Sequence, residues 1–253
     1  MQNNRLPDGL HPDTLAVRAG QVRTGFEETS EPLFLNSGYV YSSAEAAEAS
    51  FNGEKQRFVY SRYGNPTVAM FQERLRQIEG AEACFATSTG MSAVFTSLGA
   101  LLGAGDRLVA ARSLFGSCFV VCNEILPRWG VETVFVDGED LSQWEEALSV
   151  PTQAVFFETP SNPMQSLVDI AAVCDLAHAA GAKVVLDNVF ATPLGQRGLD
   201  QARDFGRAGE RDLVDVRVRH QVTADLAAAV DDVEDTGGQV GGDGRLGEDV
   251  RVE

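Results

Sequence analysis

Residues 153–188, QAVFFETPSNPMQSLVDIAAVCDLAHAAGAKVVLDN, decide the fold. Two short apolar runs, QAVFFE and KVVLD, flank the helical stretch DIAAVCDLAHAAGA. A strand that is apolar throughout is covered on both faces, which is the pattern of a parallel strand between layers of helices. The same alternation runs upstream. ACFATS predicts a strand, GMSAVFTSLGALLGAG a helix, RLVAA a strand, SCFVVCNEILPRWG a helix, VETVFV a strand and LSQWEEAL a helix. The expectation is an α/β fold with a mostly parallel sheet flanked by helices. Right-handed crossovers then align the strand C-terminal ends along one edge, where ligands bind.

Outward from this unit the pattern changes twice. Residues 1–60 are turn-rich, with Pro7, Gly9, Pro12, Pro32 and Gly38 among short apolar pieces, and read as an N-terminal arm. Ser42-Ser43 precedes a short N-capped helix over AEAAEASF, and Thr67 can cap the helix VAMFQERLRQIEG. In the latter, Val68, Phe71, Leu75 and Ile78 share a face. Residues 61–198 read as the α/β domain. Residues 199–253 read as an acidic tail, with ten Asp, four Glu and seven Arg for a net of 7 − 14 = −7. Its last part is Gly- and Asp-rich without helical period, a composition that buries little and predicts disorder. Only Val214, Val216 and Val218 alternate, as a short strand would.

Composition narrows the function. At 253 residues the chain is long enough for a substantial core. A net charge of −17 argues against nucleic acid or an anionic membrane surface as partner. No apolar run approaches the ~20 residues of a membrane span, and the N-terminus has no signal-peptide core. The protein is expected to be cytoplasmic. Cys84, Cys118, Cys122 and Cys174 read as small buried hydrophobes in a reducing compartment. No Cys/His spacing suits a metal.

Four segments carry candidate chemistry. In Thr87-Ser88-Thr89-Gly90-Met91 small residues lead into a helix whose first N–H groups and dipole suit a phosphate; a plain cap before a core helix gives the same pattern. In Tyr60-Ser61-Arg62-Tyr63-Gly64-Asn65-Pro66 a hydroxyl and a guanidinium two residues apart on an extended segment point the same way and suit phosphate oxygens; a surface turn is the alternative. Asp187 ends the strand KVVLD, where its carboxylate faces a ligand or caps the next turn. Phe115 can stack on a flat ring or pack in the core. Asn162, in ETPSNP, can bind a substrate carboxylate or fix a turn.

Taken together and in this order, YSRYGNPT, STGM, ETPSNP and LDN resemble the Cys/Met-metabolism family of pyridoxal 5'-phosphate (PLP) enzymes, and SGYVYSSAEAA and RFVYSRYGNPTVAMFQERL point to its sulfhydrylase branch. The likeness covers residues 10–198. It implies the large domain of the PLP-dependent transferase fold type I, without the family's C-terminal domain. It implies a transferase of methionine and homocysteine biosynthesis that replaces the succinate of O-succinylhomoserine with sulfide. Cystathionine γ-synthase and O-acetylhomoserine sulfhydrylase chemistry are the alternatives. The cofactor implied is PLP. Gly90 and Met91 would offer N–H groups to its phosphate, and Tyr60 and Arg62 would reach the phosphate bound by a neighbouring subunit. Phe115 would stack on the ring, Asp187 would hold the pyridine nitrogen and Asn162 the substrate carboxylate. Family members are commonly homotetramers.

The likeness stops between about Leu194 and Leu199. The family's cofactor-tethering lysine falls about 25 residues beyond the strand aspartate, near Asp212 here. The chain's two lysines are Lys55 and Lys183, both upstream of Asp187. The expectations are a frameshifted or truncated relative, inactive as written, with no catalytic residue assigned. The competing reading is a non-catalytic remnant that binds PLP weakly or pairs with an intact paralogue.

Overall fold

A computed structural model describes residues 6–196 and 198, and the backbone alone of 2–3, 213–217 and 221–223. In the N-terminal arm, β1 (Gln2–Asn3) pairs antiparallel with β2 (Val22–Arg23), and between them α1 (Pro12–Arg18) packs on α3 (Pro66–Glu79); α2 (Ala44–Phe51) follows β2. The α/β region contains α4 (Gly90–Leu101), β3 (Arg107–Ala111), α5 (Gly116–Val120), α6 (Leu126–Arg128), β4 (Glu132–Val136), α7 (Leu141–Leu148), β5 (Ala154–Glu158), α8 (Ile170–Ala179), β6 (Lys183–Asp187) and the short α9 (Thr192–Gly195). The sheet order is β4-β3-β5-β6, all parallel, continued by the backbone of β7 (Leu213–Arg217), parallel to β6, and β8 (Gln221–Thr223), antiparallel to β7.

Side-chain alternation sorts the strands between two cores. Val109, Val155, Phe157, Val184 and Leu186 face a cluster closed by Trp144, Ala147, Val173 and Cys174 of α7 and α8. Leu108, Ala110, Ala154, Phe156 and Val185 face the opposite cluster, closed by Val94 and Leu98 of α4, with Cys118, Cys122 and Leu126. Such two-sided burial is why these strands read as continuous apolar runs. It also fixes direction. By the period of two, Glu158 and Asp187 share the face of Phe156 and Val185, the one covered by α4 and α5.

Most expected elements form; four readings are corrected. ACFATS is not a strand: Phe85 makes a single bridge and is 58% exposed, so the segment lacks the two-sided cover its apolar run suggested. The α3 cap is Asn65, whose side chain accepts the Thr67 N–H at 2.8 Å, because Pro66 takes the first helical position. The face shared by Val68 and Phe71 is not the buried one: they are 42% and 39% exposed, whereas Pro66, Met70 and Glu79 are the buried residues of that helix. The helix expected over SCFVVCNEILPRWG widens into a π turn at Val121–Ile125 between α5 and α6. Pro127 lacks an N–H and its ring crowds the carbonyl one turn back, and the wider turn absorbs both effects. The expected strand at Val214–Val218 is present as β7, ending at Arg217. The remaining expectations for residues 199–253, disorder and a shifted reading frame, lie outside the described residues.

Candidate functional site

The C-terminal edge of the sheet gathers the site. Glu158 and Asp187 end adjacent strands and stand opposite each other in the β5/β6 register. Each is only 3% exposed. A carboxylate oxygen of each and the Cys118 sulfur lie within 4.8 Å of one another. Two buried like charges side by side on a sheet cost stability unless hydrogen bonds, a proton or a cation compensate them. Backbone N–H groups supply part of that compensation. Val189 N–H donates to Asp187 Oδ1 at 3.0 Å. Phe115 N–H donates to Glu158 Oε1 at 2.8 Å and Asn162 N–H to Glu158 Oε2 at 3.1 Å. Burial nevertheless pushes the Glu158 carboxyl above its ordinary range, against the lowering effect of those N–H groups.

The trio is poorly suited to a metal. Both Glu158 oxygens already accept backbone N–H groups. Burial, reinforced by the charges of Glu158 and Asp187, drives the Cys118 thiol far up, whereas a sulfur ligand must be a thiolate. Cys122 is pushed up to about 12, first by burial and then by Glu158.

Around this acidic floor lie four of the residues singled out in the sequence. Cys118 Sγ sits 3.8 Å from Met91 Sδ, which joins the start of α4 to the floor. Thr89 caps that helix by accepting Ser92 N–H at 3.0 Å. The N–H groups of Gly90 and Met91, in the first turn, have no partner among the described residues. Phe115 is the N-cap of α5, 42% exposed, and Asn162 is half-buried in the loop after β5. That loop is fastened twice more. The hydroxyls of Ser113, Ser161 and Ser166 form a triangle at 3.0, 2.8 and 3.2 Å. Gln196 Nε2 donates to Thr159 O at 3.0 Å and to Asn188 Oδ1 at 2.9 Å.

Tyr60 and Arg62 are held in a turn of their own. Among the described residues no contact ties them to the acidic floor. Their segment is a turn rather than extended, closed by Tyr63 N–H and Gly64 N–H on Tyr60 O. Arg62 folds back, its guanidinium 5.4 Å from the rings of both Tyr60 and Tyr63. The residues to which sequence reasoning gave no part in the site are Glu158, the three serines and Cys118, the last read as a small buried hydrophobe, which its burial bears out. Glu158 had a readable signal, an acid closing an apolar strand as Asp187 does; the others had none.

A parallel sheet with an acid pair at its C-terminal edge, facing the N-terminus of a glycine-led helix, defines a cofactor-binding α/β domain. More particularly, the chain belongs to the family of Cys/Met metabolism PLP-dependent enzymes, whose model matches residues 13–206. It is 79% identical over 193 residues to O-succinylhomoserine sulfhydrylase of Mycobacterium tuberculosis, covering 76% of this chain and 48% of that protein. It is 45% identical over 197 residues to the enzyme of the same name from Pseudomonas aeruginosa, covering 78% of this chain and 49% of that one. The chain thus spans about half the length of the curated relatives it matches. Among solved structures, a candidate O-acetylhomoserine (thiol)-lyase from Campylobacter jejuni, determined with a pyridoxyl-lysine phosphate, superposes with a TM-score of 0.77 at 24% identity, over 87% of this chain and 56% of that one. The fold is that of the fold type I large domain.

Proposed function

We propose that this chain is the PLP-holding part of an O-succinylhomoserine sulfhydrylase, built on residues 61–198 and working in the cytoplasm. One observation carries the reading: the buried Asp187 carboxylate with the Glu158 carboxylate within 4.8 Å. That pair concentrates negative potential where a ring nitrogen must be held protonated. Asp187 holds the nitrogen. The N–H groups of Gly90 and Met91 bind the phosphate at the positive end of the α4 dipole. Phe115 lies on the ring and Asn162 holds the substrate carboxylate. Tyr60 and Arg62 serve the phosphate of a neighbouring copy. When bound, PLP supplies an electron sink for the substrate's α-carbon.

The chain holds the cofactor without a covalent tether at this site. Lys183 begins β6 and Asp187 ends it, so four strand residues, ~13 Å, separate them, beyond the reach of one lysine side chain. Lys55 is exposed in the arm. A chain of this sequence binds PLP reversibly and does not convert O-succinylhomoserine and sulfide to homocysteine. Fluorescence titration should show saturable binding reversed by dialysis. Asp187→Asn removes a charge-assisted hydrogen bond worth about 1.5–3 kcal/mol and weakens that binding by about 10- to 100-fold. Absence of saturable binding by folded protein sinks the cofactor reading, and homocysteine formation by purified chain sinks the inactivity. A second reading, a non-catalytic partner of another family chain, rests on the exposure of Phe26, Leu35 and Val40 in the arm. Co-purification with an intact relative tests it.

A further inference from the structure

We propose that Glu158 is a positioning residue that locks the ring-stacking loop and the substrate loop into one unit; the proposal rests on the cofactor reading above. Its carboxylate bridges two segments far apart in sequence. Oε1 accepts from Phe115 N–H, 43 residues upstream, and Oε2 from Asn162 N–H, four residues downstream. Phe115 is the N-cap of α5 yet has no side-chain cap of its own. A glutamate bonding an N-cap N–H normally comes from the third position of the same helix; here a strand of the sheet supplies it. The backbone that aims the Phe115 ring and the backbone that aims the Asn162 amide therefore hang on one side chain.

Two features make this more than a buried acid finding partners. The Ser113, Ser161 and Ser166 hydroxyls join the same two loops at a second point. Two separate fastenings between two loops remove the hinge that either alone would leave. The position is also costly. Glu158 stands in register with Asp187, where an apolar residue of similar size would avoid both the charge repulsion and the burial of a carboxyl. A residue that only fills space does not need two acceptor atoms aimed at two different loops.

The two variants make different demands. Glu158→Gln keeps size and one acceptor oxygen but turns an amide NH2 toward the second backbone N–H, so one loop is released. Glu158→Ala releases both. Hydrogen exchange of the protein without cofactor, read over residues 112–119 and 159–166, should rise at least about tenfold at one loop in Glu158→Gln and at both in Glu158→Ala, with β3, β5 and β6 still protected. If Glu158→Ala does not fold, the Gln variant alone decides. A second reading uses PLP at saturation. The ring fixed against Phe115 should show induced circular dichroism in wild type and lose at least half of it per bound cofactor in Glu158→Gln, while far-ultraviolet dichroism is unchanged. Unchanged exchange at both loops in Glu158→Gln overturns the lock. Faster exchange with undiminished ring dichroism overturns its role in placing the ring. No PLP binding by wild type fails the cofactor reading instead, and exchange still judges the lock.

Discussion

The single residue that best separates chemistry from packing is Glu158. Burial raises its carboxyl above the ordinary glutamate value of 4.5, so the folded chain binds a proton more tightly than the unfolded one. Stability from this group is therefore full below pH 4.5 and is lost as pH rises through the folded value. Each unit of displacement corresponds to about 1.4 kcal/mol. Urea midpoints of wild type should accordingly fall relative to Glu158→Gln as pH is raised from just above the isoelectric point near 4.5; a flat difference contradicts the burial effect. The cysteines give the opposite kind of case. Cys118, Cys122 and Cys174 are buried and their thiols pushed up, with burial the largest cause in each. A thiol reagent at about pH 8 should then modify Cys84 at most in the native chain, since the thiolate is the reactive form, and all four cysteines once the chain is denatured. Rapid native labelling of a second thiol contradicts this packing. Asp187 was legible in the sequence because it ends an uninterrupted apolar strand. Glu158 carried the same signal at the end of its own apolar strand, but its bond to Phe115, 43 residues away, comes from the fold and not from any local pattern.

At the scale of elements, the strands β3 to β6 and the helices α4, α7 and α8 were readable because period and burial agree in them. Where other physics intervened, reading failed. Asn65-Pro66-Thr67 offers two capping residues, and the proline between them decides for Asn65. Phe85 lies in an apolar run without cover on both faces. The seating of α1 depends on something sequence hardly reveals. Gly20, just past that helix, has φ +71, and a Cβ there would meet Met70 O at 2.6 Å and Arg74 N at 2.9 Å, both backbone atoms of α3. Arg74 also donates to Ala19 O at 3.0 Å in the same seam. Gly20→Ala combines a strained backbone conformation with a contact that cannot relax by rotating a side chain. Limited proteolysis should release the first twenty or so residues at least about tenfold faster in this variant, with the sheet region intact. Equal rates would show that the arm is not seated through this contact.

For the whole molecule two forces oppose each other. Phe26 is 94% exposed, Leu35 93% and Val40 90%, an apolar load gathered in the arm, and exposed apolar surface of this kind drives association. The net charge of −17 opposes it. The repulsion acts over roughly the Debye length, about 30 Å at 0.01 M salt and about 8 Å at 0.15 M, whereas burial of apolar side chains acts at contact and is not screened. Salt should therefore tip the balance toward assembly. Among the described residues no helix is long and apolar enough to cross a membrane. The proposed reach of Tyr60 and Arg62, at the junction of the arm and the α/β domain, to a neighbour's phosphate makes a second family chain the cover. Sedimentation velocity at micromolar concentration should show a monomer–oligomer equilibrium that shifts toward the oligomer as salt rises over that range. Replacing Leu35 and Val40 together by Glu should restore the monomer with far-ultraviolet dichroism unchanged. A wild-type chain that stays monomeric at every salt concentration would mean that the arm's apolar side chains are covered by no second chain, and the assignment of Tyr60 and Arg62 to a neighbour's phosphate would go with it.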